Sequence, residues 1–65
     1  MERGTIRHFD RERGYGSIQD SEGREIQFYA NSVVSKDKSL SQGDGVWFER
    51  ENIRSHVNAI NIRKS

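Results

Sequence analysis

The chain contains no cysteine. That excludes disulfide staples and any zinc site built on thiolates, and it fits a reducing compartment. No apolar run approaches the roughly 20 residues that a membrane-spanning helix needs. Met1 is followed at once by Glu2 and Arg3, without the apolar core of a secretory leader, so the expectation is a cytoplasmic protein that does not engage membranes. Net charge is nearly absent: +1, from 11 basic and 10 acidic side chains. This is not a basic arm. The ends are mildly positive (Arg3, Arg7, Arg11 and Arg13; then Arg50, Arg54, Arg63 and Lys64), and the stretch 19–35 is acidic, with Asp20, Glu22 and Glu25 against Arg24. Any affinity for nucleic acid must come from local placement of arginine and from stacking rather than from bulk charge.

Apolar residues are also scarce, at 31% against 32% charged, which is near the composition of chains that stay disordered. Sixty-five residues allow one domain, 1–65, with a net stability on the order of a few kcal/mol. The argument for folding is that the apolar residues alternate. Short period-2 segments separated by turn chemistry predict strands over 4–9, 15–19, 25–29, 46–50 and 57–63. Asp10 to Gly14, Asp20-Ser21-Glu22-Gly23 and Gln42-Gly43-Asp44-Gly45 are the turns. Residues 30–39 are polar and poor in β-formers, and predict a long loop with one helical turn near Ser32. Residues 51–56 predict a second loop. The inward set is Ile6, Ile18, Ile26, Phe28, Val33, Leu40, Val46, Phe48, Ile60 and Ile62. Five short strands with one long connection predict an all-β fold, a five-stranded antiparallel Greek-key barrel, whose closure removes exposed strand edges.

The segment Arg13-Gly14-Tyr15-Gly16-Ser17-Ile18 draws attention to chemistry. Glycine on each side of an aromatic lets a nucleobase lie on the ring without a neighbouring Cβ. The competing reading is that Gly-x-Gly marks a bulge or a barrel corner. No helix follows, so the segment is a poor phosphate-cradling loop. A nucleophile and its base need a cleft, whereas the serines fall mostly in loops and a barrel this short leaves no sizeable pocket, so no catalysis is expected. His8 and His56, with no cysteine and no acidic partner at ligand spacing, make no metal site, and no cofactor is expected.

The run from Gly4 to Ile18, Gly-Thr-Ile-Arg-His-Phe-Asp-Arg-Glu-Arg-Gly-Tyr-Gly-Ser-Ile, resembles the opening of the bacterial cold-shock proteins. That family reads Gly-Lys-Val-Lys-Trp-Phe-Asn and then Lys-Gly-Phe-Gly-Phe-Ile, at the same spacing. Leu40-x-x-Gly43-x-x-Val46-x-Phe48-Glu49 is similar to the family's Leu-x-x-Gly-x-x-Val-x-Phe-Glu, and Asn58-Ala59-Ile60-Asn61-Ile62 to its Gln-Ala-Ala-Asn-Val. The resemblance covers residues 3–63. It implies an oligonucleotide-binding (OB-type) barrel that holds single-stranded RNA or DNA on an aromatic face, as an RNA chaperone or a regulator of transcription or translation.

The departures fall on the outward face. The family's first-strand tryptophan is His8, the second phenylalanine of its Gly-Phe-Gly-Phe is Ser17, and its Val-Phe-Val-His-Phe appears as Ile26-Gln27-Phe28-Tyr29-Ala30. The inward positions stay apolar. Each lost stacking ring removes roughly 1–3 kcal/mol of binding. What remains as a candidate nucleic-acid site is Arg7, His8, Phe9, Arg13, Tyr15, Ser17, Gln27 and Tyr29, with Lys36 and Lys38 in the long loop as helpers. Tyr15 and Tyr29 stack, and Arg13 touches phosphate. His8 stacks on a base or, when protonated, contacts phosphate. Ser17 and Gln27 can hydrogen-bond base edges. His56 reads as an inert loop residue. Trp47 points outward, either as an exposed ring or as a site for a protein partner or self-association. The second functional reading is a degenerate barrel that serves as a protein-interaction module.

Overall fold

The computed structural model describes residues 1–34 and 40–65. Five strands, β1 (Glu2–Asp10), β2 (Tyr15–Gln19), β3 (Glu25–Tyr29), β4 (Gly45–Ile53) and β5 (His56–Lys64), close into a barrel in the order β1-β2-β3-β5-β4. Every ladder is antiparallel except the β3–β5 seam, where Gln27 pairs with Asn58 and Phe28 with Ala59 in parallel. The all-β barrel expectation holds. The expected helical turn is a 3-10 turn at Ala30–Ser32. Lys36 and Lys38 lie outside the described residues.

The turns form where their chemistry requires. In the β1–β2 turn the Asp10 carboxylate accepts hydrogen bonds from the backbone N–H groups of Glu12 and Arg13, and Gly14 takes φ +75°, the left-handed region that costs glycine little. Asp20 does the same for the β2–β3 turn, accepting from the N–H groups of Glu22 and Arg24.

The core consists of Ile6, Ile18, Ile26, Phe28, Val33, Leu40, Val46, Phe48, Ala59 and Ile62, all essentially buried. One expected member is absent: Ile60 is only half-buried, and Ala59 takes the inward place. The cause is a bulge. The β4–β5 register runs Trp47↔Arg63 and then Glu49↔Ile60, so Asn61 and Ile62 together oppose Phe48 alone. Asn61 sits at φ +52° in that bulge, and the strand's inward phase shifts by one residue beyond it. Strict alternation therefore points Ile60 the wrong way.

The loop expected over 51–56 is also corrected. The β4–β5 ladder continues through Asn52↔Val57 to Ile53↔His56, leaving only Arg54 and Ser55 as the turn. Both have positive φ, 50° and 70°. That backbone matches the right-handed twist of the flanking strands, as in type I′ hairpins. The usual Asn-Gly signature is missing, which is why the hairpin is hard to see in the sequence.

The same inward phase that carries Ala59 turns Arg50 toward one end of the barrel, since the two are register partners. There its guanidinium donates to the carboxylates of Glu2 and of Asp20, the latter at 2.6 Å with the Asp20 side chain almost wholly buried. Burial works against ionisation of Asp20, but the Arg50 contact and the two backbone N–H bonds outweigh it, and the carboxyl is held below its usual range. The hydrogen bond from Arg50 likewise lowers Glu2, and the paired carboxylates raise Arg50 further above its already high value.

Candidate nucleic-acid interface

The register assembles the outward face row by row. β1 is bulged between Ile6 and His8, so that Ile6 opposes Ile18 but His8 opposes Ser17. The bulge rotates His8 onto the outer face beside β2. Ser17 in turn opposes Gln27, and Gln27 opposes Asn58. His8, Ser17, Gln27 and Asn58 thus form one line across four strands. A neighbouring line carries Tyr15 directly opposite Tyr29. The His8 and Tyr15 rings meet edge to face, with centroids 5.7 Å apart and planes at 84°. This geometry suits the ring quadrupoles. Tyr29 is 49% exposed.

These residues line two open grooves. One, of about 420 Å³, is walled by His8, Tyr15, Gln27, Glu25 and Val57 with Gly16 and Ser17 along it. The other, of about 330 Å³, runs from Gln27 and Tyr29 to the β4–β5 hairpin, where it meets Ile53, Arg54, His56, Val57 and Asn58. Sharing Gln27 and Val57, the grooves form a continuous surface.

Of the eight expected site residues, the structure brings His8, Tyr15, Ser17, Gln27 and Tyr29 together. Ser17 is 8% exposed and its hydroxyl donates to the Glu25 carboxylate at 3.2 Å, so it is part of the floor of the groove. Arg7 occupies the β1 bulge and donates to the Gln19 side chain at 3.2 Å, away from the tyrosines. Arg13 lies in the β1–β2 turn, 3.8 Å from the Asp10 carboxylate and largely in solvent. Phe9 goes elsewhere. Opposite Gly16, it is half-buried and packs on the core ring of Phe28 at 5.3 Å, lining neither groove. Its phase is the inward one, because the bulge at Arg7 has already absorbed one residue.

The glycines flanking Tyr15 also have a structural explanation. Gly14 supplies the left-handed turn residue. A Cβ on Gly16 would lie 2.4 Å from the His8 carbonyl oxygen and 2.8 Å from the Phe28 ring. Gly16 is glycine because the barrel interior leaves no room, which favours the barrel-corner reading over the need for a base to approach Tyr15.

Sequence reasoning missed Glu25 and the hairpin residues. Glu25 was legible, since it shares the outward phase of Gln27 and Tyr29. Val57, Ile53, Arg54 and His56 were not, because they reach the site only through a turn without a sequence signature. His56, expected to be inert, lines the second groove beside Tyr29. With Glu25 a carboxylate stands on the groove wall, able to accept from an exocyclic amine and unfavourable to a phosphate.

Among the described residues no helix is long and apolar enough to cross a membrane, and no cluster of three potential metal ligands occurs. The family model for the "'Cold-shock' DNA-binding domain" matches residues 2–65. The chain is similar to the cold shock protein CspC of Bacillus subtilis, 32% identical with all of both chains aligned. It is also similar to a major cold shock protein of Streptococcus pyogenes, 31% identical over 98% of this chain and 97% of that one. Among solved structures, the Drosophila Unr CSD456 superposes with a TM-score of 0.85 at 25% identity, covering 98% of this chain and 26% of that one. With the barrel, its register and its family match in agreement, the chain belongs to the cold-shock domain family, a non-enzymatic family of nucleic-acid-binding proteins.

Proposed function

We propose that the joined grooves hold single-stranded RNA or DNA with low sequence preference, and that residues 1–65 act as a single domain in an RNA-chaperone or regulatory role. The observation that carries this reading is the pair of outward tyrosines, Tyr15 and Tyr29, directly opposite each other on β2 and β3. Cross-strand neighbours stand about 5 Å apart, so the two rings offer successive bases adjoining stacking surfaces. Ser17, Gln27 and Glu25 meet base edges between them. Arg54 lines the second groove and Arg13 lies in the β1–β2 turn two residues before Tyr15, and both are cations for a backbone leaving the tyrosines. His8 braces Tyr15 through their edge-to-face contact.

The surviving aromatics set the affinity. Stacking contributes about 1–3 kcal/mol per base. Tyr15→Ala is therefore expected to weaken binding of a short pyrimidine single strand by roughly 5- to 150-fold with the circular dichroism of the barrel unchanged. Anisotropy of a labelled oligonucleotide checks this, with a duplex as control. Equal affinity of variant and parent would sink the assignment of Tyr15. Absence of single-strand binding by the parent at low salt would sink the reading altogether and leave a protein-interaction module in its place.

A further inference from the structure

The sole tryptophan of the chain, Trp47, has no place in the site above. It is 41% exposed on β4. Its register partners are Arg3 on β1 and Arg63 on β5. The three side chains thus form one outward row across three strands, arginine–tryptophan–arginine, at the strand spacing of about 4.8 Å. The Arg3 guanidinium lies 5.7 Å from the indole centroid, and among the described residues its one side-chain hydrogen bond is a long 3.5 Å contact to the Ser65 hydroxyl. Among the described residues neither Arg3 nor Arg63 is within salt-bridge distance of a carboxylate. The next outward carboxylate on β4, Glu49, accepts a hydrogen bond from Asn61 at 2.7 Å.

We infer that the Arg3–Trp47–Arg63 row is a second contact for single-stranded nucleic acid, separate from the tyrosine grooves. Two guanidiniums with no carboxylate partner among the described residues, beside an exposed indole, combine what such a strand needs: a surface for a base and cations for the phosphates on either side of it. A base stacks on the indole or on the guanidinium plane that covers part of it, and Arg63 takes the neighbouring phosphate. An acidic or apolar partner would not use both features.

The row is on a different part of the barrel from the grooves. Arg3 precedes His8 by five residues of β1, roughly 16 Å of extended chain at about 3.3 Å per residue. The tyrosines lie beyond His8 on β2 and β3, whereas Trp47 and Arg63 lie on β4 and β5. A short strand fills one contact. A longer strand that passes around the β1 side reaches both, or one molecule holds two strands. The inference shares only its ligand class with the groove reading.

Trp47 is its own reporter. Thymidine-only strands of about 6 and about 16 nucleotides, spanning the range of site sizes of such barrels, are titrated against the full chain. Trp47 fluorescence and the anisotropy of a labelled strand are read together. The 16-mer is expected to quench Trp47 saturably and less so at higher salt, in the parent and in the Tyr15→Ala/Tyr29→Ala variant alike. Trp47→Ala is expected to weaken 16-mer binding roughly 5- to 150-fold while leaving the 6-mer affinity of the grooves unchanged. Arg3→Gln/Arg63→Gln keeps the fluorophore and is expected to flatten the salt dependence of 16-mer binding by about 1.4 in log–log slope, two phosphate contacts' worth. Unquenched Trp47 at saturating 16-mer, with parent affinity in both row variants, overturns the inference and leaves the grooves standing. So does quenching that disappears in the tyrosine variant, because Trp47 would then only sense groove occupancy. A blue shift that depends on protein concentration alone also overturns it, assigning the row to a second copy of the chain. If the 6-mer fails to bind but the row variants change 16-mer binding, the groove reading fails and the row stands.

Discussion

Substituting Gly16 by alanine tests the account of the barrel and of its site together. The added methyl group would lie 2.4 Å from the His8 carbonyl oxygen and 2.8 and 2.9 Å from two atoms of the Phe28 ring. The carbonyl belongs to the β1–β2 ladder and cannot turn aside as a side chain would. The ring is fully buried, at 0% exposure, and held by its neighbours. Overpacking of this kind costs about 1–3 kcal/mol, and a backbone contact belongs at the upper end. Alanine in a strand recovers about 0.5–1 kcal/mol of the conformational entropy that glycine loses on folding. The net is a destabilisation of about 2 kcal/mol, a large share of the few kcal/mol expected of so small a domain. At about 4–8 °C per kcal/mol, the Tm of Gly16→Ala should fall by roughly 8–16 °C in differential scanning calorimetry. Adding Phe28→Leu should not restore it: the ring contacts go, but the carbonyl contact and a new core void remain. At a temperature where the variant is fully folded, its affinity for single strands should match the parent's. A Tm equal to or above the parent's would refute the steric argument. An unchanged Tm with weakened binding would instead restore the view that Gly16 serves the approach of a base to Tyr15.

Two other stability predictions follow from backbone and charge. Arg54 and Ser55 occupy the left-handed region that L-residues enter at a cost of about 1–2 kcal/mol each. Replacing them with Asn-Gly should stabilise the hairpin by about 1 kcal/mol or more and raise Tm by at least about 4 °C; a lower Tm would show that the turn is held by its side chains. The Asp20 carboxyl is held below its usual range, so its contribution is complete above the unfolded-chain value, near about 3.9, and is lost as pH falls through the folded value. Thermal melts from pH 7 downward should therefore show the parent losing stability below about pH 4, with the gap between parent and Asp20→Asn narrowing there. A gap that widens on acidification would contradict the ionised Asp20–Arg50 contact.

Much of this protein is legible in its sequence because alternation reports which way a strand side chain points. Seven of the ten buried core residues follow from period-2 patterning, Val33 and Leu40 stand out as the apolar residues in and beside the polar loop, and alternation also gives the outward positions of Tyr15, Ser17, Gln27, Tyr29 and Trp47. The turns at Gly14, Gly23 and Gly43 follow from residues that tolerate φ above zero. Tertiary structure decided what alternation cannot encode. The bulge at Arg7 turned His8 outward and sent Phe9 toward the core, and the bulge at Asn61 exchanged Ile60 for Ala59, since one extra residue in a ladder reverses every later side chain. The Arg54-Ser55 turn brought His56 and Val57 to the grooves although neither residue type announces a hairpin. The juxtaposition of Trp47 with Arg3 and Arg63, which are 44 and 16 residues away in the chain, exists only because the sheet closes on itself and sets strands distant in sequence in register.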